Sequence, residues 1–376
     1  MERQLVTIRK IKDIQDIEGA DRIKLAIVDG WKTIVKNGEF NIGDYGVYFE
    51  IDSLIPLEDE RFEFINTTKT MNGVKARYLK TIRLRGQISQ GLVLPIAALK
   101  EIAEIVGDKP EEYLERDFSE TLGVVKYEEP DDAPVGSQKS GSFPFYVEKT
   151  GENRIQNVFD RYVENYKDVE FYPTLKMDGS SMTIAYVNNP AYFTGKVDID
   201  YKAEDTEQLW VASHRLVLRK PRPDPETGEV RKNAFYEAYH ATGLEETLPK
   251  WCKEKGVQIA IQGELLGPKI QKNFEKFNKN TFRAFYVYFI DQGRRATPTE
   301  FKAICEELGL KTVKVYPPIK IFQVCKTVEE ILEMAEGDSE NNPHREGLVF
   351  KSDQLNRHGQ PISFKAISNT YLLGKK

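Results

Sequence analysis

In the run YPTLKMDGSSMTIAY, residues 172–186, Lys176 and Asp178 precede a glycine, Gly179, in a stretch that otherwise reads as strand. Alone, KMDG is a turn signal, because Asp-Gly bends a chain and a nearby lysine is ordinarily solvated. Five further runs follow in order: SHRLVLR (213–219), IQGELLGP (261–268), FYVYFID (285–291), REGLVFKS (345–352) and SFKAISN (363–369). Each sets one or two charged groups among apolar strand residues, where a charge is costly unless it meets a partner or a ligand. Lysines and carboxylates collected in this way suit a polyanion bound together with a metal. Phosphoryl transfer needs positive charge on the developing oxyanions and a metal to set geometry. The lysines and Arg215 can supply the first, and Asp178, Glu264 and Glu346 the second.

The ordered set resembles motifs I, Ia, III, IIIa, IV and V of the covalent nucleotidyltransferases, which include ATP-dependent DNA and RNA ligases and mRNA capping enzymes. The resemblance spans residues 154–376. It implies that Lys176 attacks the α-phosphate of ATP and becomes a lysyl-adenylate. An ordinary lysine titrates near ~10.4, so only about one in a few thousand is neutral at pH 7. A depressed value at Lys176, from burial or neighbouring cations, a bound metal included, is therefore expected. The resemblance further implies that Glu346 holds a divalent metal (Mg2+ or Mn2+), with Asp178 assisting. Glu264 contacts the AMP ribose and helps order the metal's waters. Lys351 and Lys365 hold phosphates, Arg215 touches AMP phosphate or nucleic acid, and Tyr288 stacks on adenine. Tyr286 and Tyr288 are expected on one strand face, opposite Phe285, Val287 and Phe289. Arg154 and Gln156, in ENRIQN, resemble a further family feature near the site and are candidate nucleic-acid contacts. The mechanism requires no histidine.

The elements that must position these groups are a mixed, largely antiparallel α+β set. A helix is expected over NRIQNVFDRYVENY, where Ile155, Val158, Phe159 and Tyr162 recur at helical spacing. Strands are expected around Lys176 and over AYVNNPAYFTG, LWVASHRLVL, VQIAIQGELLG, FRAFYVYFID, EGLVFKS and ISFKAIS. Two later helices open with capping-box patterns, Thr297 to Glu300 and Thr327 to Glu330. The resemblance implies ATP-grasp-like antiparallel sheets for this adenylyltransferase domain, residues 146–376.

Upstream, LVTIRKI, IKLAIVD, WKTIVKN and YGVYFEI alternate as strands, with turn signals between them, and suggest a small barrel over residues 1–100. The pattern GADRIKLAIVDGWKTIVKNGEFNIGDYGVYFEIDSLIP resembles the OB-fold tRNA-binding modules. Trp31, Lys32, Tyr45, Phe49 and Arg85 are candidates to grip a strand by stacking and charge. A helix is expected over residues 95–106. Residues 101–145 are read as an acidic linker segment, with its Pro-, Gly- and Ser-rich part at 127–145.

The net charge of −5 over 376 residues is unevenly spread. Residues 1–100 carry 16 basic and 14 acidic side chains, residues 101–145 carry 4 and 12, and residues 146–376 carry 34 and 33. The acidity is local, so charge does not exclude nucleic acid. No apolar run approaches the ~18 residues of a membrane span, and the N-terminus lacks the apolar core of a signal peptide. Three scattered cysteines fit neither a disulfide framework nor a zinc site and suit a cytoplasmic, reducing compartment.

Two features separate branches of the family. Ser181 stands where DNA ligases and capping enzymes usually carry an arginine, and the OB-like module precedes the transferase instead of following it. This arrangement resembles the RNA ligase 5 family, the Deinococcus and Naegleria type, and SFKAISNTYLL resembles its close. Ser363 departs from the Lys-x-Lys that RNA ligases often show in the last motif, which puts the phosphate contacts there in question. The resemblance implies an ATP-dependent RNA ligase, expected as a monomer, sealing 3′-OH/5′-phosphate breaks in nicked duplexes. The alternatives are a DNA or mixed RNA/DNA nick ligase of the same chemistry and a non-catalytic RNA-binding OB protein with a decayed transferase domain.

Overall fold

The computed structural model describes residues 3–114, 116–128, 139–192, 207–223, 226–230 and 233–374. The chain divides into two compact units. The first comprises residues 1–130, 155–159 and 372–376, and the second residues 131–154 and 160–371. Among the described residues no helix is long and apolar enough to cross a membrane.

The first unit is the expected barrel. Strands β1 (Val6–Ile17), β2 (Ala20–Val28), β3 (Trp31–Lys36) and β4 (Tyr45–Phe49) are followed by β5 (Ser53–Pro56), β6 (Thr68–Met71), β7 (Val74–Tyr78), β8 (Ile82–Leu84), β9 (Gln87–Ser89) and β10 (Leu92–Pro95). The barrel sheet runs β10-β4-β1-β2-β3. Its two edges meet where the Gln90 N–H donates to the Lys32 carbonyl (2.7 Å) and Thr33 Oγ1 to the Gly91 carbonyl (3.2 Å). Alternation drives the curl: β3 is buried at Trp31, Thr33 and Val35 and more open between them.

The acidic segment is not a linker over its first half. Helix α1 (Lys100–Val106) and the turns after it bury Leu99, Ile102, Val106, Phe118, Leu122 and Val124 against Val6, Ile8, Phe49 and Phe62. Strand β11 (Val125–Lys126) then pairs with β5. The acids of this stretch lie on the solvent side, so composition suggested a linker where apolar spacing builds core. Residues 129–138 lie outside the described residues. Strand β12 (Lys139–Ser142) already belongs to the second unit, so the linker reading fails at that end as well.

The second unit holds two antiparallel sheets. Helix α2 (Ile155–Tyr166), as the spacing predicts, precedes β13 (Tyr172–Lys176) and β14 (Ser180–Val187). Strands β15 (Gln208–Ala212) and β16 (Leu216–Leu218) lead to helices α3 (Ala234–Thr242) and α4 (Leu244–Lys255), a pair the sequence reading missed. Next come β17 (Ile259–Leu266), β18 (Thr281–Phe289), β19 (Arg294–Arg295), α5 (Pro298–Glu307), α6 (Ile321–Val324), α7 (Val328–Met334), β20 (Gly347–Leu355) and β21 (Pro361–Ile367). Both expected capping boxes form, on α5 and α7. The strand expected to run on through AYVNNPAYFTG ends at Val187.

One sheet has the order β12-β16-β15-β14-β17-β18-β19 and the other β13-β20-β21. Helices α3, α4 and α5 bury Phe235, Leu248, Cys252, Phe301 and Cys305 against Ile184, Ile261 and Val287 on one face of the larger sheet. Phe171, Phe322, Phe350 and Phe364 pack behind the smaller one, with Phe350 and Phe364 stacked at 4.7 Å. The cysteines Cys252, Cys305 and Cys325 are all free and buried.

Candidate active site

Lys176 is the last residue of β13, and β13 pairs with β20 so that Lys176 lies opposite Gly347. Glu346, immediately before Gly347, therefore reaches back to the lysine: Nζ and Oε2 are 2.7 Å apart. The chain then turns at Asp178-Gly179 into β14. The role of the glycine is steric. A Cβ at position 179 would stand 2.4 Å from the Leu265 carbonyl oxygen and 2.9 Å from Glu264 Cγ. Only glycine lets the turn settle against β17 beside Glu264. Gly179→Ala is expected to destabilise the fold by about 1–3 kcal/mol through overpacking and to slow reaction at Lys176; thermal melts and single-turnover labelling check both.

Register gathers the other lysines. Lys351 pairs with Tyr172 and Ser363, and Lys365 with Val349. Alternation along the three strands puts Lys176, Lys351 and Lys365 on one face of the smaller sheet, while Leu348, Phe350 and Phe364 take the other. Arg154 bridges to Lys365, whose backbone N–H donates to the Asn153 carbonyl (2.8 Å). On the larger sheet Ser181 pairs with Glu264, and Arg215 sits in the β15–β16 turn at the same end.

The electrostatics reverse one expectation. Burial works against the Lys176 ammonium, but Glu346, Glu264 and Asp178 outweigh it and hold the lysine above its ordinary value. The depressed lysine is Lys351. Burial is the main cause and Arg295 adds to it, so that Lys351 falls to about 7 despite the opposing pull of Glu152. Its Nζ donates to the Phe285 carbonyl (2.6 Å) and lies 3.8 Å from the Tyr286 ring centroid. Burial, with Glu346 and Asp178 adding, pushes Glu264 up to about 8 against the opposing charge of Lys176.

The sign of the Lys351 effect can be tested. The folded value lies below that of an unfolded lysine, so between about 7 and ~10.4 the unfolded chain binds more protons and stability rises with pH. At or below pH 7 the fold carries the full cost of a buried ammonium. Lys351→Met is expected to melt higher than the wild type at pH 7, with the gap closing as pH approaches 10. An equal gap at both ends of that range would contradict this account.

The remaining expected residues divide. Tyr288 is 6% exposed and packs among Tyr146, Ala185, Trp210 and Ala260, which is core packing and not an open stacking face. Tyr286 and Tyr288 do share a face, but a bulge between the β17 pairs Gln262/Gly263 breaks the alternation at Phe285. Phe285 joins Leu175, Met177 and Leu266 and does not lie with Val287 and Phe289. Gln156 belongs to the first unit, where its carbonyl accepts from the Gly30 N–H (3.2 Å), and its side chain is buried. Trp31 and Phe49 are fully buried; Trp31 Nε1 donates to Asn157 Oδ1 (2.6 Å). Both are core residues and present no platform for a base. Lys32 and Tyr45 are half-buried and Arg85 is exposed.

Sequence reasoning missed two groups. Glu275, 1% exposed, accepts from the Asp178 N–H (3.3 Å) and from Ser339 Oγ, and burial lifts it to about 7. It sits in QKNFEKFNKN, a lysine-rich loop without periodicity. Glu152 accepts from Tyr286 Oη (2.7 Å), and Arg295 lies 3.5 Å from Glu152 and 4.9 Å from the Tyr286 ring. Together they form a charged layer behind Lys351. The only advance signal was ENRIQN, whose first residue is Glu152.

Among the described residues no three His, Cys, Asp or Glu side chains close into a metal-enclosing set. The donors still fit a divalent cation of the magnesium or manganese type, which takes one or two carboxylates and completes its shell with phosphate and water. Glu346, Asp178 and Glu264 crowd their negative charge around Lys176, and Glu264 is raised mainly by burial, with Glu346 and Asp178 adding.

A strand that ends on Lys176, a lysine-lined sheet face and converging carboxylates fit the class of nucleotidyltransferases. An RNA ligase family model matches residues 169–367, and an OB-fold domain model matches residues 5–96. The structure of Naegleria gruberi RNA ligase with PPi is 34% identical, with 99% of this chain and 98% of that chain covered and a TM-score of 0.79. Mutants of that ligase with ATP and Mn and with AMP and Mn are each 33% identical over 98% of both chains, with TM-scores of 0.80. No curated protein sequence matches significantly. The chain belongs to the RNA ligase family.

Proposed function

We propose that this enzyme is an ATP-dependent RNA ligase that seals 3′-OH/5′-phosphate breaks through a lysyl-adenylate on Lys176. The observation that carries the reading is the 2.7 Å pairing of Lys176 with Glu346 on the lysine-lined sheet. In the first step Lys176 Nζ, after losing a proton, forms a P–N bond to the α-phosphorus of ATP, and the bond to pyrophosphate breaks. AMP then passes to the RNA 5′-phosphate, freeing Nζ. Finally the 3′-hydroxyl attacks that phosphate, the phosphodiester forms and AMP leaves.

Glu346, with Asp178 and Glu264, would hold the divalent cation, which when bound neutralises charge on the phosphates. Glu264 would also meet the ribose. Lys351, Lys365 and Arg154 would meet phosphates, and Arg215 phosphate or the RNA. Lys351, the cross-strand partner of Ser363, would supply the phosphate contact that a lysine at 363 makes in other RNA ligases. The natural substrate would be a nicked duplex and the working form a monomer, in a cytoplasmic, reducing setting that suits the three free thiols.

The test offers wild type ATP or GTP labelled at the α-phosphate, then nicked duplexes whose 3′-OH strand ends in ribose or deoxyribose. Label from ATP and sealing that requires the ribose end are expected. Equal sealing of both ends would move the reading to a mixed nick ligase. No label from either nucleotide would overturn it.

The first unit reaches past residue 100, so a cut there severs α1 and the Phe118 turn from the barrel core. Deletion at residue 100 is expected to yield chain that aggregates, as size-exclusion chromatography would report.

A further inference from the structure

Resting on the RNA-ligase reading, we propose that the β8–β9 hairpin is an RNA-gripping finger in which Arg83 and Arg85 take backbone phosphates. In barrel order, β4 and β10 are the fourth and fifth strands, so residues 50–91 form the connection between them. OB barrels commonly bind oligonucleotides with that loop. Its charge is one-sided. All 14 acidic residues of the first hundred precede Phe64, and residues 64–99 contain none, against Lys69, Lys75, Arg77, Lys80, Arg83 and Arg85.

Structure separates these cations by task. Arg77 donates to the carbonyls of Leu57 and Ile65, and Lys69 covers the rings of Tyr78 and Tyr127. Arg83 and Arg85 are exposed. Arg83 donates to the Gly86 carbonyl (3.3 Å), and among the described residues neither arginine has a carboxylate partner. Ile82 and Leu84, each 43% exposed, share the face opposite Arg83 and offer apolar surface to sugars. The hairpin is tethered at its base, where the Ile34 N–H donates to Ser89 Oγ (3.1 Å) and the Gln90 N–H to the Lys32 carbonyl (2.7 Å).

The turn itself singles out Arg85. Both central residues are left-handed, Arg85 at φ 49° and Gly86 at φ 79°. Two-residue turns of this kind favour Asn-Gly. The adjacent β6–β7 hairpin uses that pair, with Asn72 at φ 52° and Gly73 at φ 79°. The same turn is therefore available without a cation, and the arginine at the tip answers to something other than the turn.

The experiment measures binding and sealing of a nicked RNA duplex by the full chain at several salt concentrations, alongside lysyl-adenylate formation without RNA. Arg83→Ala/Arg85→Ala is expected to bind at least about tenfold more weakly near 0.1 M salt. Its log–log salt slope should be shallower by about 1.5, as for two lost phosphate contacts. Adenylation should stay unchanged. Arg85→Asn should melt at or above wild type while binding more weakly, which separates lost charge from a damaged fold. Wild-type affinity and slope in both variants, or an equal loss of adenylation, would overturn the proposal. A wild type that forms no adenylate or seals no RNA overturns the ligase reading beneath it; one that seals while the variants match it overturns the hairpin alone.

Discussion

Lys176→Ala is expected to abolish covalent labelling by α-labelled ATP, with residual label below about a thousandth of wild type, as for loss of a nucleophile. Among the described residues no other lysine of the smaller sheet is placed to substitute. Lys351 is nearer neutrality, at about 7, but its Nζ is engaged by the Phe285 carbonyl and the Tyr286 ring. Lys365 lies two strands away from Lys176, beyond β20. The result should hold at pH 9 as well as pH 7, because raising the pH frees other amines without moving them. Label that persists on the variant and maps to Lys351 would show that the less basic lysine is the nucleophile. The variant keeps the substrate for the later steps, so RNA supplied already adenylylated at its 5′ end should still be sealed. That outcome separates loss of a nucleophile from loss of the fold.

Glu346→Ala is expected to reduce adenylation by about a hundredfold or more, the range seen when one preorganised electrostatic partner is removed. The two roles proposed for Glu346 pull in opposite directions. As partner of Lys176 it keeps the amine protonated, so its removal alone would lower the lysine's pKa and favour attack at neutral pH. As an oxygen donor for a divalent cation its removal costs charge neutralisation on the phosphates. A slower variant, partly rescued by raised Mn2+, marks the second role as dominant. A variant as fast as wild type at pH 7, with its pH–rate midpoint shifted to lower pH, would mark Glu346 as a brake on the lysine. In the resting enzyme the Lys176–Glu346 pair is closed, and the reaction has to open it.

The motif residues were legible through the ordered resemblance of their short runs, and for Lys176, Glu264, Lys351 and Lys365 strand alternation fixes the face. KMDG, EGLVFK and SFK converge once β13, β20 and β21 pair. What stayed hidden depends on contacts that period alone does not encode. Trp31 reads equally well inward or outward from WKTIVK, and the barrel closure turns it in. The Phe285 bulge inserts one residue and exchanges the faces of everything before it. The stretch 101–126 was judged by its acids, whereas Ile102, Val106, Phe118 and Leu122 decide its fate. Glu275 and Glu152 act at a distance in sequence from the groups they touch; Glu275 sits in no recognisable pattern, and Glu152 opens ENRIQN, where only Arg154 and Gln156 drew notice. The direction of the Lys176 shift was missed for a related reason: the motif names the lysine but not the number of carboxylates around it.

The three buried thiols make the chain its own stability reporter. Cys252, Cys305 and Cys325 all fall in the second unit, and the first contains no cysteine. Burial lifts Cys252 and Cys305 to about 12, and each is shut off from reagent until its surroundings open. Alkylation timed by mass spectrometry therefore counts openings of the catalytic unit while the barrel remains silent. Thiol labelling beside a whole-chain melt would resolve two stabilities in one unmodified polypeptide. Protection that rises when ATP and RNA are added would record how tightly each ligand closes the catalytic half, without a label being introduced anywhere.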